Sequence, residues 1–221
     1  MLQDSSGYSQ QGAKKPERKS QYVQSLAWFL SLLLCTLAIV LAFRYLDVPI
    51  AVRVQGILAS AQALASGFAS ATLLGIETSV SLVLIVIRIT RGRLSPLAKA
   101  TMLACLNSIC AYAINDTTLK FLFGVPNPAA VLHGARHAFH LFGGSGQSSF
   151  PSGHMVLAGA FAGVFMRFFR RSILPLLVLL LLAAVLLIVG NWHFVSDVIA
   201  GTFLGISAGL LAGELSLAHS S

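Results

Sequence analysis

Charge is scarce in this sequence. Asp, Glu, Lys and Arg make up 10% of its 221 residues, whereas a soluble domain carries about a quarter. That deficit excludes an ordinary water-exposed domain. Cysteine is scarce too. Cys35, Cys105 and Cys110 all lie inside apolar runs, where spare thiols behave as small hydrophobes. They provide neither a disulfide framework nor metal-ligand spacing. No small-residue cleavage site follows the first apolar run, so that run reads as an uncleaved anchor helix, not a signal peptide. What is abundant is hydrophobicity, at 56% of residues, and it is gathered in long runs. This is the composition of a membrane protein. The net charge of +8 sits at the ends of those runs. It therefore reads as a topology signal and a set of lipid-headgroup contacts, not as a nucleic-acid surface.

Residues 1–22 are rich in Ser, Gln, Gly and Lys. They carry too little apolar surface to order themselves, so a disordered basic cytoplasmic tail is expected there. Residues 23–218 read as a single membrane domain. Within it, six apolar stretches (25–43, 70–89, 97–119, 153–170, 173–190 and 195–215) each approach the ~20 residues that a helix needs to cross a bilayer. The expected fold is an all-α integral membrane protein with six transmembrane helices in a compact bundle. Between the first two stretches, apolar residues such as Val54, Ile57, Leu58 and Ala61 recur at helical spacing. They predict a helix over 50–68, either lying in the interface or packed in the bundle.

The Lys and Arg residues orient this bundle. With the N-terminus in the cytoplasm, the inner segments hold Lys14, Lys15, Arg18, Lys19, Arg88, Arg91, Arg93, Lys99, Arg167, Arg170 and Arg171. The outer segments hold Arg44, Arg53, Lys120 and Arg136. Such an excess of inner positive charge sets orientation. Both termini are then cytoplasmic. The 120–152 connection and the short 190–195 turn share the outer face. The short tail and loops suggest a bacterial inner membrane with this face toward the periplasm.

Those two outer segments hold most of the unusual polar residues. Phe150-Pro151-Ser152-Gly153-His154 stands where the fourth helix begins. His193 and Asp197 are spaced i to i+4 where the sixth begins, and Lys120 closes the third. A helix N-terminus offers unpaired N–H groups and partial positive charge, which suit a phosphate. Ser152 can cap that helix or donate to an anion. Gly153 lets an anion approach the backbone. His154 is placed to protonate a leaving oxygen. Asp197 can accept one ring N–H of His193 and leave its other nitrogen free to attack. Lys120 supplies a point charge. Each residue also has a bland reading. Asp197 can simply cap its helix. Lys120 lies i+4 from Asp116, which predicts an ordinary ion pair that is compatible with substrate contact.

Taken together, these residues resemble the type 2 phosphatidic acid phosphatase superfamily. That family carries K-x6-R-P, then P-S-G-H, then S-R-x5-H-x3-D. Here the chain reads Lys120 to Asn127-Pro128, then Pro151-Ser152-Gly153-His154, then His193 to Asp197. The wider strings FGGSGQSSFPSGH and GNWHFVSDVIAG are also similar to that family, and the likeness covers roughly 97–213. It implies that His193 is a nucleophile forming a phosphohistidine, His154 the general acid, and Asp197 the group that orients His193. Lys120, Ser152 and the Gly153 amide would hold the phosphate. No metal and no cofactor is implied. The implied substrate is a lipid phosphate: phosphatidic acid, phosphatidylglycerol phosphate or a polyprenyl diphosphate.

This chain departs from the family pattern at two positions. Asn127 stands in place of the first motif's arginine, and Leu186-Leu187 in place of the third motif's Ser-Arg. A charge-assisted hydrogen bond is worth roughly 1.5–3 kcal/mol, so two lost guanidiniums would cost several orders of magnitude in rate unless replaced. Arg136 in the outer loop is a candidate replacement for phosphate binding. His133, His137 and His140 fall at i, i+4 and i+7 and suggest one face of a short helix. They resemble a metal site, but the loop has no carboxylate or cysteine to complete it. Gly143-Gly144-Ser145-Gly146 reads as a hinge or a plain connector. Glu77, inside the second run, is an intramembrane acid that would pair with a basic group or reach outward.

Competing classes remain. One is a close enzymatic variant, a phosphotransferase with an acceptor other than water. Another is a non-catalytic phospholipid-binding relative, supported by the missing arginines. The third is a small transporter, for which no inverted repeat is visible. Oligomeric state is not legible.

Overall fold

The computed structural model describes residues 14–57, 70–145 and 148–219, and among them it is helical with no sheet. By its internal contacts the chain divides between Leu37 and Ala38. The first unit, where described, is the helix α1 (Lys14–Tyr45) up to Leu37. Leu26, Phe29, Leu33 and Leu34 stand exposed along it, as suits a helix bathed in lipid. The helix already starts at Lys14, so it overlaps the 1–22 stretch expected to be disordered. Residues 1–13 lie outside the described residues.

The second unit begins with the end of α1 and continues through α2 (Asp47–Val54), α3 (Ser70–Arg91) and α4 (Pro96–Ile114). A π-helical turn over Asn115–Leu119 leads α4 into α5 (Lys120–Phe123). Then come α6 (Pro128–Leu132), α7 (Gly153–Phe168), α8 (Ile173–Val189) and α9 (Val195–Ala218). Of the helix expected over 50–68, only 50–54 is helical among the described residues, as the end of α2, because the chain turns at 55–57 with Gly56 at φ 87°. Its 58–68 portion lies outside the described residues.

Among the described residues, five stretches are long and apolar enough to cross a membrane: Ser25–Tyr45, Thr72–Arg91, Pro96–Phe123, Arg170–Val189 and Val195–Ala218. The expected sixth, α7, has 16 residues. At 1.5 Å per residue it is about 24 Å long, short of the ~30 Å hydrocarbon core. Ten of its residues are buried.

Local chemistry explains the helix starts. The side chain of Ser95 accepts the Ala98 N–H at 3.2 Å and Pro96 follows it, a favoured N-cap and first-turn pair. Asn127 and Pro128 repeat the device at α6. α5 ends at Gly124, which has a left-handed φ of 56°. Glu77 meets no basic group among the described residues. It accepts a hydrogen bond from the Ser108 hydroxyl, which ties α3 to α4.

What positions the site is the crossing of α7 and α9. Gly201, Gly205, Gly209 and Gly213 recur every fourth residue on α9, facing Gly159 and Gly163 on α7. Such small residues let two membrane helices bring their backbones into contact. A Cβ on Gly209 would stand 2.3 Å from the Ala160 carbonyl oxygen, and one on Gly205 2.5 Å from that of Val156. Backbone cannot yield as a flexible side chain can. Gly209→Ala is therefore expected to destabilise the fold by about 1–3 kcal/mol, read as a lower thermal midpoint in detergent. A midpoint equal to the parent's would mean that the crossing is looser than described.

Candidate active site

The turn Pro151–Gly153 is gripped from two sides. From α4, the Asn115 side-chain amide donates to the Pro151 carbonyl at 3.1 Å, and the Tyr112 ring lies against Gly153, where a Cβ would be 2.9 Å from it. From α9, the Asp197 carbonyl accepts the Ser152 N–H at 3.1 Å. Two helix N-termini are thereby bonded to each other. Ser152 is fully buried, and its hydroxyl accepts the Met155 N–H at 3.4 Å as the cap of α7.

At the start of α9, Phe194 is the N-cap residue and has no polar side chain to offer. The Asp197 carboxylate, in the third helical position, accepts the Phe194 N–H at 2.9 Å. His193 precedes that cap. Its Nδ1 is 3.5 Å from Asp197 Oδ2, longer than a hydrogen bond but within the slack of an unliganded site. Its Nε2 is 3.3 Å from His154 Nδ1, and the ring centroids are 5.5 Å apart. An N–H···N contact needs one proton and one lone pair. A proton on His193 Nδ1, toward Asp197, leaves Nε2 as the acceptor and His154 Nδ1 as the donor. The two imidazoles, 39 positions apart in sequence, therefore face each other at one end of the bundle.

Buried polar side chains are almost always hydrogen-bonded. Six buried side-chain nitrogen or oxygen atoms among the described residues are not, and four of them belong here: His154 Nε2, His193 Nδ1, Asp197 Oδ1 and Asn115 Oδ1. This concentration marks a polar site within an apolar bundle. A shallow cleft lined by Asp47, Ile50, Ala51, Ile188 and Asn191 abuts His193, and it encloses no space large enough for a ligand.

Lys120 follows the π turn, a helix irregularity that recurs at functional positions. The extra residue in that turn lets buried Asn115 and partly exposed Lys120 both serve the same end of the helix. As the i, i+4 spacing predicts, Lys120 Nζ pairs with Asp116 Oδ1, at 2.7 Å. Exposed pairs of this kind are worth about 0–1 kcal/mol, so Lys120 can leave Asp116 for another anion at small cost.

The two positions lacking arginine are otherwise engaged. Asn127 spends its side chain capping α6, accepting the Ala130 N–H at 2.8 Å. Leu187, at the third motif's arginine position, is partly buried on the apolar helix α8 and packs against a core that includes Met155, Leu180 and Val198. Arg136 is exposed on the outer loop and makes no hydrogen bond or ion pair among the described residues. The short helix expected over His133–His140 does not form. α6 stops at Leu132, and Gly134 takes φ 104°. The three histidines then diverge. His133 bonds the Ala129 carbonyl and His140 is exposed, while His137 turns inward between Phe43 and Phe194. Gly144 is no free hinge either. Its N–H bonds the Phe121 carbonyl, and a Cβ would stand 2.2 Å from the Lys120 carbonyl oxygen. Gly146 lies outside the described residues.

Sequence reasoning missed Asn115, Asp47 and Ser196. Asp47 had one usable signal, being an acid at the outer end of an apolar run in a chain with seven acids. Asn115 and Ser196 had none, since polar residues in helices are common.

Comparison with known families gives one match. The family model described as the PAP2 superfamily covers residues 100–217, more than half of the chain. The match takes in Lys120, the Pro151–His154 turn, His193 and Asp197, and leaves α1 to α3 outside. No curated protein and no solved structure matches the chain.

Proposed function

The chain belongs to the PAP2 superfamily, a family of phosphatases, and from that premise we propose that this multi-pass membrane protein hydrolyses a lipid-linked phosphomonoester or diphosphate through a phosphohistidine. The observation that carries the reading is the 3.3 Å approach of His154 Nδ1 to His193 Nε2, with Asp197 on the far side of His193.

In the proposed reaction, His193 Nε2 attacks phosphorus and forms an N–P bond. The bond from phosphorus to the leaving oxygen breaks, and that oxygen takes a proton from His154. Water then attacks the phosphohistidine, giving its proton to His154, and phosphate departs with both rings restored. Lys120, the Ser152 cap and the Gly153 N–H at the start of α7 hold the phosphate oxygens. Asp197 keeps the Nδ1 proton of His193 facing away from the substrate. The reaction needs nucleophile and phosphorus about 3–3.5 Å apart and the acid within about 3 Å of the leaving oxygen. The rings must therefore part when substrate arrives.

We read α7 as a sixth crossing. Being short, it places its N-terminus beneath the outer headgroups, at a depth a lipid phosphate can reach sideways between helices. The charge bias places this end outside the cytoplasm and both termini inside. Arg136 is assigned to the phosphate once the substrate is bound, because no partner holds it elsewhere. Arg136→Ala is expected to raise KM roughly tenfold, the worth of one charge-assisted contact, with kcat within threefold. Unchanged kinetics would remove it from the site.

The missing arginines favour a second reading, a non-catalytic lipid-phosphate binder. The test is phosphate release by purified protein from vesicles carrying phosphatidic acid, phosphatidylglycerol phosphate or a polyprenyl diphosphate, with and without a chelator. Chelator-insensitive release that His193→Ala abolishes is expected. Binding without release from any member of the panel would leave the binder in its place.

A further inference from the structure

A buried carboxylate outside the family-matched region underlies His193. Asp47, in the first turn of α2, is 1% exposed. A carboxylate withdrawn from water is costly unless its oxygens are engaged. Here both are. Oδ1 accepts the Ser196 N–H at 3.0 Å and Oδ2 accepts the Ser196 hydroxyl. His137 Nε2 lies 3.4 Å from Oδ2, its ring stacked on Phe43 at 4.1 Å. Ser196 immediately precedes Asp197, in the first turn of α9. Phe194 cannot cap that turn with its side chain, so α2 supplies a carboxylate to the positive end of α9.

The opposite end of the same turn is also tied to α2, since the Asn191 side-chain amide donates to the Ala51 carbonyl at 3.3 Å. His193 sits between these two anchors. Its own contact with Asp197 is 3.5 Å, and Nδ1 has no hydrogen-bond partner. The ring therefore depends on where its backbone is held, and misplacement by about 1 Å can cost ~100-fold in rate. We propose that Asp47 is a positioning residue, which fixes the His193–Asp197 turn against α2 for the chemistry.

This inference rests on the phosphatase reading, and its test separates the two. The full chain in detergent is compared as parent, Asp47→Asn, Ser196→Ala and His193→Ala. Asp47→Asn keeps the shape, removes the charge and sets an N–H₂ against the Ser196 hydroxyl. It is expected to lower kcat about 100-fold on a lipid phosphate, with KM within threefold and the thermal midpoint within a few degrees. Ser196→Ala keeps the backbone bond and should lower kcat about tenfold. In both, carbethoxylation of His193, followed by mass spectrometry, should run severalfold faster than in the parent, because the ring is less firmly held. That readout requires no turnover. A kcat and a labelling rate within twofold of the parent in both variants would overturn the proposal. So would loss of the folded state in both, which would make Asp47 purely structural. No release from the parent would sink the phosphatase reading instead, release that persists in His193→Ala would sink His193 as its nucleophile, and in either case labelling would still judge Asp47.

Discussion

His193→Ala is expected to lower phosphate release by on the order of 10⁵-fold, the scale seen when a covalent nucleophile is removed. No second nucleophile stands ready. Ser152 has its hydroxyl turned into the α7 cap, and His154 is the acid partner across the 3.3 Å contact. Water attacking directly would have to enter where the imidazole is buried and would lack a base on the correct side. The measurement is single-turnover release from a radiolabelled lipid phosphate, together with trapping of acid-labile phosphoenzyme. The parent should carry label on His193 and the variant none. Label of equal intensity in the variant would place the nucleophile elsewhere. The fold should survive, because His193 lies outside the helices and its side-chain hydrogen bond is the 3.3 Å contact with His154 within the site.

The second large effect belongs to His154, and its size should depend on the leaving group. General acid catalysis contributes about 10²–10⁴-fold. His154→Ala is therefore expected to cut release from an alkyl phosphate such as phosphatidic acid by that factor. An aryl phosphate needs far less help, since a phenol ionises near pH 10 and an alkanol does so much less readily. With an aryl substrate the same variant should lose no more than about tenfold, and phosphoenzyme should still form. Equal losses on both substrates would mean that His154 holds the phosphate and does not protonate the leaving oxygen.

Much of this was legible along the chain because membrane helices are written locally. Hydrocarbon forces each crossing to satisfy its own backbone hydrogen bonds, so long apolar runs announce themselves, and all six stretches became helices. Ser152 with Gly153-His154, and His193 with Asp197, were legible for a related reason. Each pair lies within a turn of a helix start, where spacing alone fixes which groups share an end.

The outer loop was not legible. His137 was grouped with His133 and His140 by spacing, yet it is drawn inward by a cluster in which Phe43, Phe123, Phe139 and Phe150 come from four distant segments. Gly143-Gly144 suggested a hinge and instead provides close backbone approach to Lys120. In both cases the decisive contact is with a residue far away in sequence.

The sequence by itself determined that this chain enters a membrane, where its helices run, and which imidazoles and carboxylate stand at helix starts. Hydrophobicity and short-range spacing dictate those properties residue by residue. It takes the packed bundle to make α7 the buried short helix, to bring the rings of His154 and His193 together, and to set Asp47 of α2 against Ser196 in the first turn of α9. Those depend on glycine-lined backbones pressing together and on buried polar atoms finding partners across the bundle, and no local pattern encodes them.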